Sequence, residues 1–382
     1  MFLMTLKISA RFDGGAIDVV RADSPHQIDV RIRKDSHADF LQWFYFRLQG
    51  ARDVACTIRF LNAGVTSYPD GWTDYQAVAS YDRKTWFRVP TAFDGQILTI
   101  SHQPDCDSVY YAYFEPYSWD RHLDLLGRAG RHADVRIVDL ATTRDGRDLN
   151  AVVVGNPNAQ KKIWVIARQH PGETMAEWFV EGMIDSLLDA ADPVARRLRQ
   201  QTVFYIVPNM NPDGSARGNL RTSATGANLN REWMAPSAQH SPEVLAVRNL
   251  MHETGCDLFL DVHGDEGLPY VFVAGSEMLE GFSEAQAVQQ QGFIDCMKAA
   301  SPDFQTTFGY ASSKYRAEVL RLASKYVAHH FKCVSLTLEM PFKDNAALPD
   351  PGVGWNGARS AALGRSMLQA ILQSLDPPRT GQ

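Results

Sequence analysis

Hydrophobic and polar positions alternate with a period of two through much of the first third of the chain. Phe44, Phe46 and Leu48 fall on one face of an extended segment and Trp43, Tyr45 and Arg47 on the other, which is the spacing of a pleated strand. Segments 26–33, 39–49, 54–62, 76–89, 96–103 and 108–116 read as strands, with Asp82, Arg83 and Lys84 in the turn of a hairpin. No useful stretch of helical period interrupts them before residue 118, so the pattern predicts a small antiparallel β-sandwich. After Pro116 it changes. Residues 119–129 fit a short helix ending at Gly130, and strands 134–140 and 147–154 flank the turn Arg144, Asp145, Gly146. Beyond them apolar strands (163–167, 203–207, 258–262, 270–273, 334–338) alternate with amphipathic helices (174–189, 242–254, 283–299, 314–329, 359–374). That alternation predicts an α/β domain with a buried sheet flanked by helices. At about 150 residues per domain, 382 residues suggest two to three units. The expected division is a sandwich over 1–122, an α/β domain over 123–376 and a frayed polar tail over 377–382.

Composition narrows the function. With 45% hydrophobic and 21% charged residues the chain is of ordinary globular type, which excludes a mostly disordered, collagen-like or coiled-coil protein. Lys and Arg total 38 against 44 Asp and Glu, a net charge of −6. General binding to nucleic acid or to an anionic membrane is therefore not expected, because it needs a basic field. No apolar run approaches the roughly 18 residues of a membrane span, and Met1–Leu6 is too short for a signal-peptide core before Lys7. A soluble, cytoplasmic protein is the expectation. The five cysteines are scattered, without a C-x-x-C pair. They read as reduced core residues, so any metal must rely on His and carboxylate.

Four places carry candidate chemistry. His170-Pro171-Gly172-Glu173 follows an apolar strand and opens a helix. Pro and Gly keep the two functional side chains off one regular helix face, with His170 on a strand-end loop and Glu173 at the helix start, able to close two sides of a tetrahedral zinc site. The same H-x-x-E spacing recurs at His240/Glu243 and His263/Glu266, so spacing alone does not identify ligands. At His240 a plain helix start explains it, with Ser241 as N-cap, Pro242 in the first turn and Glu243 favouring the dipole. The long polar loop from Pro208 to Arg231 holds Arg221, Arg231 and several amides, a set suited to an anionic ligand; Asn211–Gly214 is equally readable as a turn with solvated arginines nearby. His263 ends a strand at the carboxyl edge of the sheet, where α/β proteins gather ligands, although a strand-end His is more often a structural hydrogen-bonder. Glu339 closes the apolar strand 334–338, which is costly to bury unless the carboxylate is paired or functional; a surface strand end is the alternative.

Taken in order, His-Pro-Gly-Glu (170–173), Asn-Pro-Asp-Gly (211–214), Gly-Asn-x-Arg (218–221), Asn-Leu-Asn-Arg (228–231), Asp-x-His-Gly (261–264) and Thr-Leu-Glu (337–339) resemble the zinc carboxypeptidases of the carboxypeptidase A type, over roughly residues 130–375. Within them the chain is similar to the cytosolic carboxypeptidase branch, which includes tubulin-deglutamylating enzymes. Residues 1 to about 118, with Trp43–Phe46, Ser80–Arg88 and Glu115–Ser118, look like the β-sandwich that precedes the catalytic domain in that branch. The resemblance implies a mixed β-sheet flanked by helices, and one Zn2+ per chain held by His170, Glu173 and His263. It also implies that Arg221 polarises the scissile carbonyl and binds substrate, that Asn230 and Arg231 grip the terminal carboxylate, and that Glu339 is the general base. The implied activity is a metallocarboxypeptidase cleaving the C-terminal peptide bond of peptides or proteins, with acidic (glutamate) specificity as a further expectation.

Some details depart from the family pattern. Digestive members carry Asp where this chain has Asn228, and Asn228 is expected to accept the distal N–H of His170. Tyr310, Tyr315 and Tyr326 are equal candidates for a substrate-capping tyrosine. Lys314, Arg316, Arg321 and Lys325 could line an acidic-residue pocket, but their spacing fits the wet face of a helix better. Two other readings of the whole stand beside the first: an N-acyl amino acid deacylase on the same scaffold, and a non-catalytic binding protein.

Overall fold

The structure is a computed structural model and describes residues 6–311 and 316–375; the tail expected over 377–382 lies outside it. Ten short strands cover the first part: β1 (Lys7–Ser9), β2 (Asp18–Ser24), β3 (Gln27–Arg31), β4 (Tyr45–Gln49), β5 (Cys56–Phe60), β6 (Val78–Ser80), β7 (Phe87–Arg88), β8 (Thr91–Phe93), β9 (Leu98–His102) and β10 (Ser108–Ala112). They form two five-stranded sheets, ordered β1-β4-β10-β6-β7 and β2-β3-β5-β9-β8. All pairs are antiparallel except β3 with β5. Phe44, Phe46 and Leu48 are buried as their alternation predicts, and Phe44 packs on Phe60 with ring centroids 4.5 Å apart. Trp43 and Tyr45, on the opposite face, are buried as well, so both faces of β4 are covered.

The second part contains α1 (Trp119–Ala129), β11 (Val135–Thr142), β12 (Asp148–Gly155), β13 (Lys161–Ala167), α2 (Met175–Leu187), α3 (Pro193–Gln201), β14 (Thr202–Val207), α4 (Pro212–Arg217), α5 (Pro242–Thr254), β15 (Leu258–Asp265), β16 (Phe272–Ala274), α6 (Glu284–Ala300), α7 (Ala323–Phe331), β17 (Val334–Pro341) and α8 (Gly357–Leu375). One seven-stranded mixed sheet runs β11-β12-β14-β13-β15-β17-β16. Its centre, β14-β13-β15-β17, is parallel and its edges are antiparallel. Parallel strands covered on both faces should be apolar throughout, and β13 obeys this. Ile163, Val165 and Ala167 join one core with α2, α8 and the sandwich, while Trp164 and Ile166 join a second with α5 and α7. α2 and α8 touch backbone to backbone: a Cβ on Gly182 would strike Ala361 O, and one on Gly364 would strike Phe179 O.

Three expectations change. The helix expected over 314–329 is a 3-10 turn (Arg316–Arg321), an extended Leu322 (φ −85°, ψ 139°) and then α7. Strand 39–49 narrows to β4, while the segment 76–89 is the expected hairpin, with β6 and β7 paired around the Asp82–Lys84 turn. The short α3 and α4 are additional elements: Asp192 accepts the N–H of Val194 and Asn211 that of Gly214, each just ahead of a first-turn Pro, the usual start signal. Of the five cysteines, Cys56 and Cys256 are buried but Cys106 is exposed, so the core reading does not extend to all of them.

Candidate metal centre and active site

β13 delivers the loop 168–173 at its carboxyl end. Arg168 lies in the left-handed region (φ 57°), which a non-glycine residue adopts only when its surroundings hold it. Here its guanidinium donates to Pro171 O (2.9 Å), Tyr117 O (2.9 Å) and Glu177 Oε2 (2.7 Å). Asn211, from the polar loop, donates its Nδ2 to Gln169 O (3.0 Å) and accepts the Gly214 N–H (3.1 Å). The Asn-Pro-Asp-Gly segment is therefore a helix start that braces the His170 loop. Next to β13, the parallel register of β15 and β17 sets His263 beside Glu339. Residues two apart on a strand share a face, so Asp261 lies behind His263, with Oδ1 2.9 Å from Nε2. Both Asp261 oxygens accept from Gln169 Nε2 (2.8 and 2.9 Å).

These supports bring His170, Glu173 and His263 together. His170 Nδ1 is 2.6 Å from Glu173 Oε1, His263 Nδ1 is 2.7 Å from Glu173 Oε2, and the two Nδ1 atoms are 3.2 Å apart. All three residues are buried, and their donor atoms lie within 4.8 Å of one another. Nitrogen, nitrogen and carboxylate are a donor set suited to zinc. The outward nitrogens are held too. His170 Nε2 is 3.1 Å from Asn228 Oδ1, the contact expected from the sequence, and His263 Nε2 faces Asp261. Each distal nitrogen thus has an acceptor oxygen beside it, which leaves Nδ1 of both rings turned to the shared centre. Burial and the Arg221 charge push the His170 imidazole down to about 3, so it is neutral at physiological pH. Burial would lower His263 too, but the Asp261 and Glu173 carboxylates reverse that and hold it well above the usual value.

A cleft of about 600 Å³ opens over this centre, lined among others by Tyr68, Arg221, Asn230, Arg231, Glu266, Tyr310, Lys325 and Glu339. Glu339 Oε1 accepts from the Tyr310 hydroxyl (3.0 Å), which also reaches Asp265 Oδ2 (2.5 Å). Glu339 Oε2 is buried and has no hydrogen-bond partner among the described residues. An orphaned buried oxygen is costly, and beside a set of metal donors it suits a water or substrate group held there. Burial raises this carboxyl well above its normal range. Arg221 lies against the rings of Phe40 and Tyr68, 5.6 and 5.8 Å from their centroids. Asn230 Oδ1 accepts the N–H of Ala323 (2.8 Å), tying the 3-10 turn Leu229–Arg231 to the start of α7. Arg231 Nη1 donates to Asn230 O (2.7 Å).

The remaining candidates separate. Tyr310 is in the cleft. Tyr326 packs on Trp233 and directs its hydroxyl to His252 Nε2 (2.8 Å), and Tyr315 lies outside the described residues. Arg321 is exposed and donates to Arg231 O (3.1 Å); Lys314 and the Arg316 side chain are not described. Lys325 corrects the wet-face reading: it is 3% exposed, lines the cleft, and donates to the carbonyls of Gly275 and Ala274. His240 stays at a helix start away from the cleft, though Ser241 does not cap with its side chain. Sequence reasoning gave no role to Asp261, Glu266 or Tyr68, and for Lys325 it weighed an acidic-residue pocket but preferred the wet face of a helix. For Asp261 a signal existed, since an acid two residues before a strand-end histidine shares its face. Tyr68 comes from the other half of the chain and had none.

Residues 8–114 match the cytosolic carboxypeptidase N-terminal domain and residues 125–352 the zinc carboxypeptidase family. An uncharacterised protein of Zymomonas mobilis is 47% identical over 98% of this chain and 97% of its own length. Cytosolic carboxypeptidase 6 of Mus musculus is 27% identical over 83% of this chain but 62% of its own length, so the chain spans less than two thirds of that relative. Among solved structures, a metallo-carboxypeptidase from Burkholderia cenocepacia is 59% identical with TM-score 0.96, over 97% of this chain and 99% of that one. A metallo-carboxypeptidase from Pseudomonas aeruginosa, in complex with (2-guanidinoethylmercapto)succinic acid, is 43% identical with TM-score 0.94 over 97% and 99%. The ordered motifs, the mixed sheet and the buried His-Glu-His centre agree with these matches: the chain belongs to the zinc carboxypeptidase family, as a metallocarboxypeptidase fused to the N-terminal domain of the cytosolic carboxypeptidases.

Proposed function

We propose that the protein is a zinc-dependent exopeptidase that removes an acidic residue, above all glutamate, from the C-terminus of a peptide or protein. The observation that carries this reading is the convergence of the His170, Glu173 and His263 donors within 4.8 Å, next to a Glu339 oxygen with no hydrogen-bond partner among the described residues. His170, Glu173 and His263 would hold one zinc ion per chain, which would supply Lewis-acid activation of a water at this site. Glu339 is the general base: its Oε2 takes the proton from the attacking water and returns it to the leaving amine. Tyr310, bonded to Oε1, steadies that carboxylate and is positioned to cover the substrate. Arg221 stabilises the negative charge that develops on the scissile carbonyl oxygen; its guanidinium keeps its charge at any physiological pH. Asn230 and Arg231 receive the terminal carboxylate. An internal peptide bond offers no such anion, so this clamp makes the enzyme an exopeptidase.

Acidic specificity is supported by Lys325. A buried ammonium lining the cleft, with three donors and two carbonyl partners, favours a carboxylate over an apolar or basic side chain. The Pseudomonas aeruginosa relative was solved with a succinic acid that bears a guanidinoethyl arm; its carboxylates are the charge type that Arg221 and Arg231 would receive, so it bears on the carboxylate clamp and not on side-chain preference.

The test is a digest of matched peptides ending in Glu, Leu or Lys, each as free acid and as amide, followed by mass spectrometry. Loss of a single C-terminal Glu from the free peptide, with the amide untouched, is expected. Cleavage of amides at the same rate would remove the carboxylate clamp, and equal trimming of Glu and Leu would remove Lys325 as selector.

A further inference from the structure

We infer that the N-terminal sandwich is a working part of the catalytic site, through Asp35, a positioning residue for Arg221. The inference rests on the proposed role of Arg221 in polarising the scissile carbonyl. Asp35 follows β3, on the sandwich side, and is 6% exposed. Its Oδ1 accepts the N–H of Leu220 (2.6 Å), and its Oδ2 accepts the N–H groups of Arg221 and Thr222 (2.8 Å each) and the Thr222 hydroxyl (3.0 Å). Three consecutive backbone donors and a hydroxyl thus converge on one carboxylate. The segment they belong to lies between α4 and the 3-10 turn at Leu229, outside any helix or strand. It has no ladder of its own to satisfy those N–H groups, which would be costly to leave buried and unpaired.

The neighbouring contacts are of the same kind. Ser36 donates from its N–H (3.1 Å) and hydroxyl (3.2 Å) to Asn219 Oδ1, and Asn219 Nδ2 donates to Thr222 O (2.8 Å). Gly172, inside the metal-binding loop, donates to Leu220 O (2.8 Å). The backbone of Arg221 is therefore held from the sandwich on one side and keyed to the metal loop on the other. Its guanidinium lies against Phe40 and Tyr68, both sandwich residues, and such rings favour a cation over their faces. A carboxylate on a short stem suits this position: Asn replaces one acceptor oxygen with a donor that faces N–H groups. Asp35 does not reach the cleft. It acts by fixing where Arg221 starts, and a shift of about 1 Å in a catalytic group can cost as much as 100-fold in rate.

The experiment is a double-mutant cycle on a peptide with a free C-terminal Glu, measuring kcat, KM, zinc content and melting temperature for the full chain, D35N, R221A and D35N/R221A. D35N should keep its zinc and lower kcat roughly 10- to 100-fold with KM changed by no more than about threefold, and the double variant should be no slower than R221A alone. Phe40→Leu leaves the carboxylate in place and removes one ring over the guanidinium; its smaller loss should also vanish in the R221A background, and it keeps the cycle readable if D35N does not fold. An unchanged kcat in D35N, or an equal fractional loss with and without Arg221, overturns the inference. Wild-type turnover in R221A overturns instead the role given to Arg221.

Discussion

Glu339, Lys325 and Asp261 are ionisable groups buried where charge is costly, and each is testable alone. Glu339→Gln keeps the shape and removes the base. Metal analysis should find zinc retained, while turnover falls by several orders of magnitude, the roughly 10²–10⁴-fold of a lost acid–base group together with lost activation of water; unchanged turnover would take Glu339 out of the mechanism. Burial holds Lys325 down to about 8, opposed by the charges of Glu277 and Asp261. Below that pH it is a cation and above it neutral, so the kcat/KM ratio of Glu-ending to Leu-ending peptides should fall as pH rises through about 8. In Lys325→Met the ratio should be low at every pH; a wild-type ratio that is flat with pH would exclude the lysine. Asp261→Asn leaves the His263 N–H with a weaker acceptor, and zinc affinity measured by competition with a chelator should drop about 10- to 100-fold. The residues proposed as ligands and base were legible as candidates because each stands where an apolar run ends. Lys325 was not, since a helix-spaced basic residue looks the same whether its face meets water or a cleft.

The elements account for why those residues meet. His263 and Glu339 are 76 residues apart in the chain, and the register of β15 with β17 sets them side by side. That both strands exist follows from their apolar runs. Their adjacency does not, because period-two patterns mark faces rather than neighbours. The break before α7 has the same origin: the helical pattern over 314–329 is real, but Ala323 finds its cap in Asn230, 93 positions earlier, and the helix starts there. The contact of α2 with α8 depends on Gly182 and Gly364. Gly364→Ala should force the helices apart and lower stability by about 1–3 kcal/mol, read as a lower denaturant midpoint at unchanged slope; a midpoint within error of wild type would mean that the helices have room to move.

At the scale of the molecule the two halves share one core. Buried residues of the sandwich, of α2 and α8 and of one face of the seven-stranded sheet form a single cluster. Tyr113 stacks on Phe342 at 4.5 Å, and Arg88 donates to Phe342 O (3.0 Å) and Trp355 O (2.7 Å). A shared core should unfold as one unit: calorimetry in the presence of zinc is expected to give a single transition, and two well-separated ones would mean that the halves are independent. The chain by itself determined the order of the longer elements, the buried sheet, the sandwich and the residues that end strands with chemistry, because these follow from local period and from the cost of burying charge. The tertiary structure alone decided which ends lie together, that Asn228 and Asp261 stand behind the two histidines, that Lys325 faces inward, and that Asp35, Phe40 and Tyr68 from the first half surround an arginine of the second. Those are contacts between positions far apart in the chain, and local pattern carries no information about which distant partner completes a hydrogen bond.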